Sequence, residues 1–239
     1  MRVVSLLMVL GVAAMLTACQ SMPRTTFDPG LRQTVKKVGI APLGMPNSAE
    51  VRILQPIGAN FGLIGALVEE TRAANARSEL EDVLARVNYD YKLELTTNTI
   101  LTMTDAGFEA VQLPGARPSS ARGKFLKSVP VDPGVDAVLD LYVVSLGFFA
   151  AGATTDYRPG CHIAARLVDS KSQKVLFQDQ IMYGALVPTN QKAIMVPAHS
   201  NRSFSDRDSL QSNPSVTRDA FKKALDACVN AVGRQFGSS

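Results

Sequence analysis

The sequence predicts an α/β fold: a single domain in which an open, mixed or largely antiparallel sheet is packed by helices, one of them C-terminal. Three observations lead there. Residues 136–149, DAVLDLYVVSLGFF, carry apolar side chains at both parities, the mark of a central strand covered on both faces. Residues 161–169 and 174–183 alternate around Ser170-Lys171-Ser172-Gln173, the pattern of a hairpin. Asn213-Pro214 opens a run in which Phe221, Ala224, Leu225, Cys228 and Val232 recur at helical spacing.

The remaining elements follow in chain order. Val35 to Leu43 reads as a first strand, stopped by Pro42 and the turn-like residues 44–48. Residues 53–68 are apolar and carry Gly58, Gly62 and Gly65. Two readings stand for them: a membrane-inserting or self-associating helix with bare glycines on one face, or a small-residue face pressed on the sheet. Pro56, Asn60 and the shortness of the run favour the second. Residues 69–88 form the clearest helix, with Ala76, Leu80, Val83, Leu84 and Val87 on its buried stripe and an Asp82–Arg86 ion pair on its wet face.

Residues 91–106 are expected to be helical, with Leu93, Thr97, Ile100, Leu101 and Thr104 on the inner stripe and Gly107 as the stop, while Tyr91–Leu95 also alternates like a strand and the threonines lower helix propensity. Residues 108–113 then return as a strand. In the central strand, Leu139, Leu141 and Val143 are expected on one face, and Val138, Tyr142, Val144, Leu146 and Phe148 on the other. Residues 184–212 read as a long irregular stretch, a length that in a compact domain points to function or motion. Asn213 is expected to cap the closing helix.

The N-terminus carries the most specific signal. Met1-Arg2 precedes an apolar run, Val3 to Leu16, shorter than the roughly 20 residues a spanning helix needs. A charged start, a short apolar core and a small residue before the cut describe a removable secretory leader over residues 1–18. Leu16-Thr17-Ala18-Cys19 resembles the lipobox of bacterial lipoproteins. That resemblance implies acylation (palmitate among the chains) at Cys19, which becomes the mature N-terminus. Gln20, in place of Asp, implies onward sorting to the outer membrane. One acyl chain holds a protein marginally and two hold it stably, so a lipoprotein terminus anchors firmly. Residues 19–34, with Pro23 and Asp28-Pro29-Gly30, read as a flexible tether reaching up to about 45 Å, or else as an edge segment packed on the domain. The folded body is expected over residues 35–239.

Composition narrows the function classes. At 46 % hydrophobic and 19 % charged residues the chain is globular rather than disordered. A net charge of +4 lacks the dense basic stripe of a nucleic-acid binder. Of three cysteines, Cys19 is assigned to lipid, which leaves Cys161 and Cys228 as an even, inward-pointing pair in an oxidising compartment. A disulfide between them is expected, with two unpaired buried thiols as the alternative.

The residues offer no catalytic constellation, no metal site and no cofactor motif. Gly-x-Gly-x-x-Gly, Gly-x-x-x-x-Gly-Lys, His-Glu-x-x-His, Cys-x-x-Cys and Gly-x-Ser-x-Gly are all absent. Of two histidines, His162 reads as a surface or cross-strand residue, and His199, beside Ser200, is the one position where a general base could stand. The loop over residues 114–134 carries Arg117, Arg122, Lys124 and Lys127, taken here as candidate partner-contact residues, with a simply solvated loop as the other reading.

The element order, together with VKKVGIAPL (35–43), VDAVLDLYVVSLG (135–147), ARLVDSKSQKVLF (165–177) and the terminal helix, resembles the periplasmic domains of curli-channel-like and penicillin-binding-protein-activator-like outer-membrane lipoproteins. The resemblance implies a non-enzymatic accessory protein that binds or assembles another envelope protein. Two alternatives remain: a subunit of a homo-oligomeric export pore, built on the glycine-rich segment, and a periplasmic hydrolase using His199.

Overall fold

The computed structural model describes residues 22–55, 62–184, 193–198 and 203–237. They form one domain around a seven-stranded mixed sheet. The strands are β1 (Lys37–Ile40), β2 (Glu50–Gln55), β3 (Glu109–Gln112), β4 (Ala137–Gly152), β5 (Arg158–Asp169), β6 (Val175–Tyr183) and β7 (Ile194–Val196). The helices are α1 (Gly62–Arg86), α2 (Tyr91–Asp105), the short α3 (Arg207–Ser212) and α4 (Pro214–Gly233). Strand order is β3-β1-β4-β5-β6-β7, with β2 added to the far half of β4. The open α/β sheet with a C-terminal helix is the architecture the sequence predicts.

β4 is the central strand, and its length lets it serve two neighbours on one side. Its first residues pair in parallel with β1 (Val38 with Ala137) and its last with β2 (Glu50 with Gly147, Gln55 with Gly152). β2 was not expected as a strand. Its place depends on Gly147, where any Cβ would overlap the Glu50 backbone. Glu81 of α1 ties the entry to β2 down, accepting the Ala49 N–H at 2.7 Å and the Tyr91 hydroxyl at 3.0 Å. The glycine-rich run of 53–68 is thus divided between the end of β2 and the start of α1, while Gly58 lies outside the described residues. Among the described residues no helix is long and apolar enough to cross a membrane.

A bulge corrects the expected faces of β4. Val143 pairs with Ile163 but Ser145 with His162, so Val144 is an extra residue and the parity flips. Leu146 and Phe148 therefore join Leu139, Leu141 and Val143 in the helix-side core, and Val144 is left 42 % exposed. The β5–β6 hairpin forms as expected, with Cys161, Ile163, Ala165, Leu167, Phe177 and Ile181 all facing that core.

α1 buries Ala76, Leu80, Val83 and Leu84 as expected. On its wet face Arg86 donates to the Gln211 carbonyl at 3.2 Å, in place of the expected pair with Asp82. α2 begins at Asp90, whose carboxylate accepts the Lys92 and Leu93 N–H groups, and ends before Gly107 at φ +91°. Its buried stripe is not the expected one. Tyr91, Leu95, Thr99, Thr102 and Met103 face the core, whereas Leu93 and Leu101 are 64 % and 55 % exposed. The threonines can be buried because their hydroxyls are satisfied: Thr99 donates to the Leu95 carbonyl at 2.7 Å and Thr102 to Asn230 at 3.1 Å. α4 buries Phe221, Ala224, Leu225, Cys228 and Val232 as predicted, but the Asn213 side chain makes no capping bond.

The expected flexible tether is corrected from Pro23 onward. Thr25 makes an antiparallel bridge to Gln178 on the β6 edge, and Arg24 pairs with the nearly buried Asp179 at 2.6 Å. Phe27 is 5 % exposed and stacks edge-on against Phe236 and Phe108. A short 3₁₀ turn at Pro29–Gln33 then delivers the chain to β1. The physical reason is burial: Phe27 closes an aromatic cluster at the end of α4, which a free tether would leave open to water.

Candidate functional site

The face of the sheet away from the helices carries a second, smaller core of Ala41, Leu113, Val129, Val135, Val138 and Val168, roofed by the loop over residues 114–134. This loop holds the four basic residues expected to contact a partner. It is fastened by Asp140, a fully buried carboxylate near the start of β4. Arg117 reaches Asp140 Oδ1 at 2.8 Å, and Arg166 from β5 reaches Oδ2 at 3.0 Å. The Leu126 N–H donates to the same Oδ2 at 2.8 Å.

The Arg117 side chain is only 6 % exposed, and its other donors go to the carbonyls of Pro42, Ala121 and Lys124. It is therefore an internal clamp, not a contact residue. Phe125 stacks on the Arg166 guanidinium at 4.6 Å and on Tyr142 at 5.0 Å, which completes the seal over Asp140. Gly44 is required beneath the loop, because a Cβ there would overlap the Arg122 carbonyl and Tyr142.

The other three basic residues stay outside. Arg122, Lys124 and Lys127 are exposed, and Arg122 bonds the side chain of Asn47. Arg117 and Arg122 thus pin the loop to the body at two points, while Lys124 and Lys127 present charge to solvent. Asp140, Arg166 and Phe125 are the members that sequence reasoning missed. A signal existed: a lone aspartate inside a two-faced strand demands a buried cation, because an unpaired carboxylate there is too costly.

A second surface lies on α2. Leu93, Thr97, Leu101 and Thr104 are exposed along one side of the helix, away from α4 and the sheet. This is the apolar stripe that periodicity would place in the core.

Cys161 on β5 and Cys228 on α4 come together in the helix-side core, but both are free thiols, so the expected disulfide is not made in this structure. Cys228 Sγ donates instead to the Cys161 carbonyl at 3.2 Å. Burial, reinforced by the neighbouring Cys228, pushes the Cys161 thiol well above its ordinary range, so it is protonated and unreactive at neutral pH. His162, on the opposite face of β5, is buried rather than on the surface and shares a 2.6 Å hydrogen bond with Gln180 across the strands. Burial lowers its pKa, the Gln180 bond opposing in part. His199 and Ser200 lie outside the described residues. Among the described residues no group of three or more His, Cys, Asp or Glu side chains is placed to hold a metal.

No protein-family model and no curated protein matches this chain. Solved structures with a similar course of chain include the PelC dodecamer from Paraburkholderia phytofirmans, at 10 % identity and TM-score 0.41, covering 91 % of this chain and 96 % of that one. They also include protein XCC0632 of the DUF330 family from Xanthomonas campestris, at 13 % identity and TM-score 0.43, covering 90 % and 92 %. Lipoprotein GNA1162 from Neisseria meningitidis is similar at 14 % identity and TM-score 0.28, covering 65 % and 88 %. Likenesses this low establish neither family nor function for the present chain.

Proposed function

We propose that this is a lipid-anchored protein of the bacterial cell envelope, working as a binding or assembly accessory for another envelope protein rather than as an enzyme. The observation that carries the reading is the Leu16-Thr17-Ala18-Cys19 lipobox at the end of a short apolar leader. Acylation at Cys19 fixes the domain to a membrane, and Gln20 directs it to the outer one, with the folded body in the periplasm.

The binding half of the proposal is supported by surface chemistry. The exposed Leu93–Leu101 side of α2 offers apolar contact area on a rigid helix, and Lys124 and Lys127 offer charge on a fastened loop. Such surfaces suit a protein partner better than a small molecule, which binds in a concave pocket.

The test has two arms. Cys19→Ser is expected to release the protein from membranes at high salt; continued fractionation with them would end the anchor proposal. A photo-crosslinker placed at Leu101 in cells is expected to capture one envelope protein, and a crosslinker at exposed Glu109 is not. Capture of the chain by itself, together with a discrete ring-sized oligomer in detergent, would favour the export-pore subunit instead.

A further inference from the structure

From the packed N-terminal segment and the character of the neighbouring strand, we infer that the β6–β7 edge of the sheet is the side on which the domain rests against the lipid bilayer, at headgroup depth. The inference rests on the proposed anchoring at Cys19.

The link from the anchor to the body is short. Residues 23–27 are bound to the body: Gln178 Nε2 donates to the Pro23 carbonyl at 2.9 Å, Thr25 and Gln178 exchange backbone hydrogen bonds at 2.9 Å, and Phe27 is buried. The chain between Cys19 and Pro23 is only Gln20, Ser21 and Met22. Fully extended, that link spans about 15 Å. The interfacial layer between hydrocarbon and water is itself about 5–8 Å deep on each side. A lipidated Cys19 therefore leaves the β6 edge no more than about 10 Å of clearance beyond the headgroups, too little for another folded domain to intervene.

The β7 residues on that edge are apolar. The outer edge of β6 carries Thr25 at Gln178 and then β7 at Ile181–Tyr183. β7 and its flanks, Ala193-Ile194-Met195-Val196-Pro197-Ala198, contain no charged residue. Ile194 and Val196 pack on the core, whereas Met195 is 52 % exposed and Pro197 and Ala198 are exposed. Edge strands in water are ordinarily guarded by charge, especially lysine, against pairing with other chains. Among the described residues 193–198 this edge carries no such charge, as fits an edge covered by lipid. The polar backbone of an edge strand limits the depth, because it can be satisfied among hydrated headgroups but not in hydrocarbon.

The rim of this edge is suited to anionic headgroups, with Lys171 and Lys174 exposed in the β5–β6 turn. Asp179 is taken up by Arg24, and Asp169 accepts the turn's own N–H groups from Lys171 and Ser172. By contrast, α2 packs on α4 and on β1 and β3 at the other end of the strand order, so its Leu93–Leu101 side is turned away from the anchor.

The test uses the full lipidated protein in vesicles of phosphatidylethanolamine and phosphatidylglycerol, with a single environment-sensitive fluorophore at Met195→Cys or at Leu101→Cys. The native Cys161 and Cys228 are buried and stay unlabelled under native conditions. A headgroup-linked quencher is expected to dim the label at position 195 severalfold more than the label at position 101. A label at Lys174→Cys gives the same comparison without touching β7. Equal quenching at both sides, or stronger quenching at position 101, in protein that floats with the vesicles overturns this inference and leaves the anchor intact. Protein that fails to float overturns the anchor reading, and the inference falls with it.

Discussion

Asp140, fully buried near the start of β4, holds the guanidinium of Arg117 at 2.8 Å and thereby fastens the basic loop to the sheet. Two arginines share one carboxylate, and each of the three nitrogens of the Arg117 fork has an acceptor. The loop is held by satisfied charge as much as by its valines. Its remaining exposed lysines are consequently presented from a fixed platform.

Removing the carboxylate should be far worse than removing one arginine. Asp140→Ala leaves two desolvated guanidiniums without a counter-charge, a change that costs about 3–5 kcal/mol in comparable buried pairs. Arg117→Met keeps the Asp140–Arg166 pair and is expected to cost less, while freeing the loop. Urea midpoints measure the first effect. Trypsin cleavage after Arg122, Lys124 and Lys127 measures the second. Equal stability of the Asp140→Ala variant and the parent would refute the clamp.

Phe27 is expected to behave as a core residue despite lying outside the body foreseen over 35–239. Phe27→Ala empties one corner of the Phe108–Phe236 cluster, and large-to-small changes of this kind cost about 3–5 kcal/mol. The variant should also release the N-terminal segment to protease at Arg24 and Arg32 before the domain unfolds. A stable variant with an uncut N-terminus would mean that residues 23–34 are held by something else.

His162 gives stability a pH dependence. Burial depresses its folded pKa below the ordinary value, so the unfolded chain binds the proton more readily. Its contribution is complete above the unfolded pKa, near 6.5, and is lost as pH falls from there toward the folded pKa. Melting temperatures measured between neutral and mildly acidic pH should decline in the parent. The decline should be shallower in His162→Gln, which keeps a cross-strand amide partner for Gln180. An unchanged slope would remove His162 as its source.

Cys161 and Cys228 are placed to become a disulfide only if oxidation precedes burial. In the folded state both are buried, and the raised pKa of Cys161 suppresses the thiolate that exchange requires. Protein recovered from the periplasm is therefore expected to show no free thiol when denatured without reductant, the two electrons having passed to the envelope's oxidising system. Leaderless protein made in the cytosol should show both thiols and keep them on exposure to mild oxidant. Closure of so long a loop stabilises by about 4 kcal/mol in the chain-entropy model. Two free thiols in the periplasmic protein would dismiss the disulfide.

Much of this fold is legible in the residues because its elements are locally consistent. The β5–β6 hairpin, the central strand, the closing helix and the Asp90-to-Gly107 limits of α2 rest on periodicity, capping and turn chemistry within a few residues of each other. The misses share a different character. α2 offers two overlapping stripes, and spacing alone ranks Leu93–Leu101 above Tyr91–Leu95–Thr99–Thr102. Only the arrival of α4, with Asn230 to receive the Thr102 hydroxyl and Gly233 bare enough to let Thr102 approach, selects the second. A single bulge residue, Val144, reverses the side on which Leu146 and Phe148 lie, and nothing in the alternation announces it.

What the sequence determined by itself is the α/β class and the identity of most helices and strands, all written in short-range pattern. What only the tertiary structure decided is the pairing of β2 with β4, the seating of residues 23–34, and the conversion of Arg117 from a surface charge into a clamp on Asp140. Each of these depends on groups far apart in the chain meeting in a low-dielectric interior, where burial and pairing outweigh local propensity.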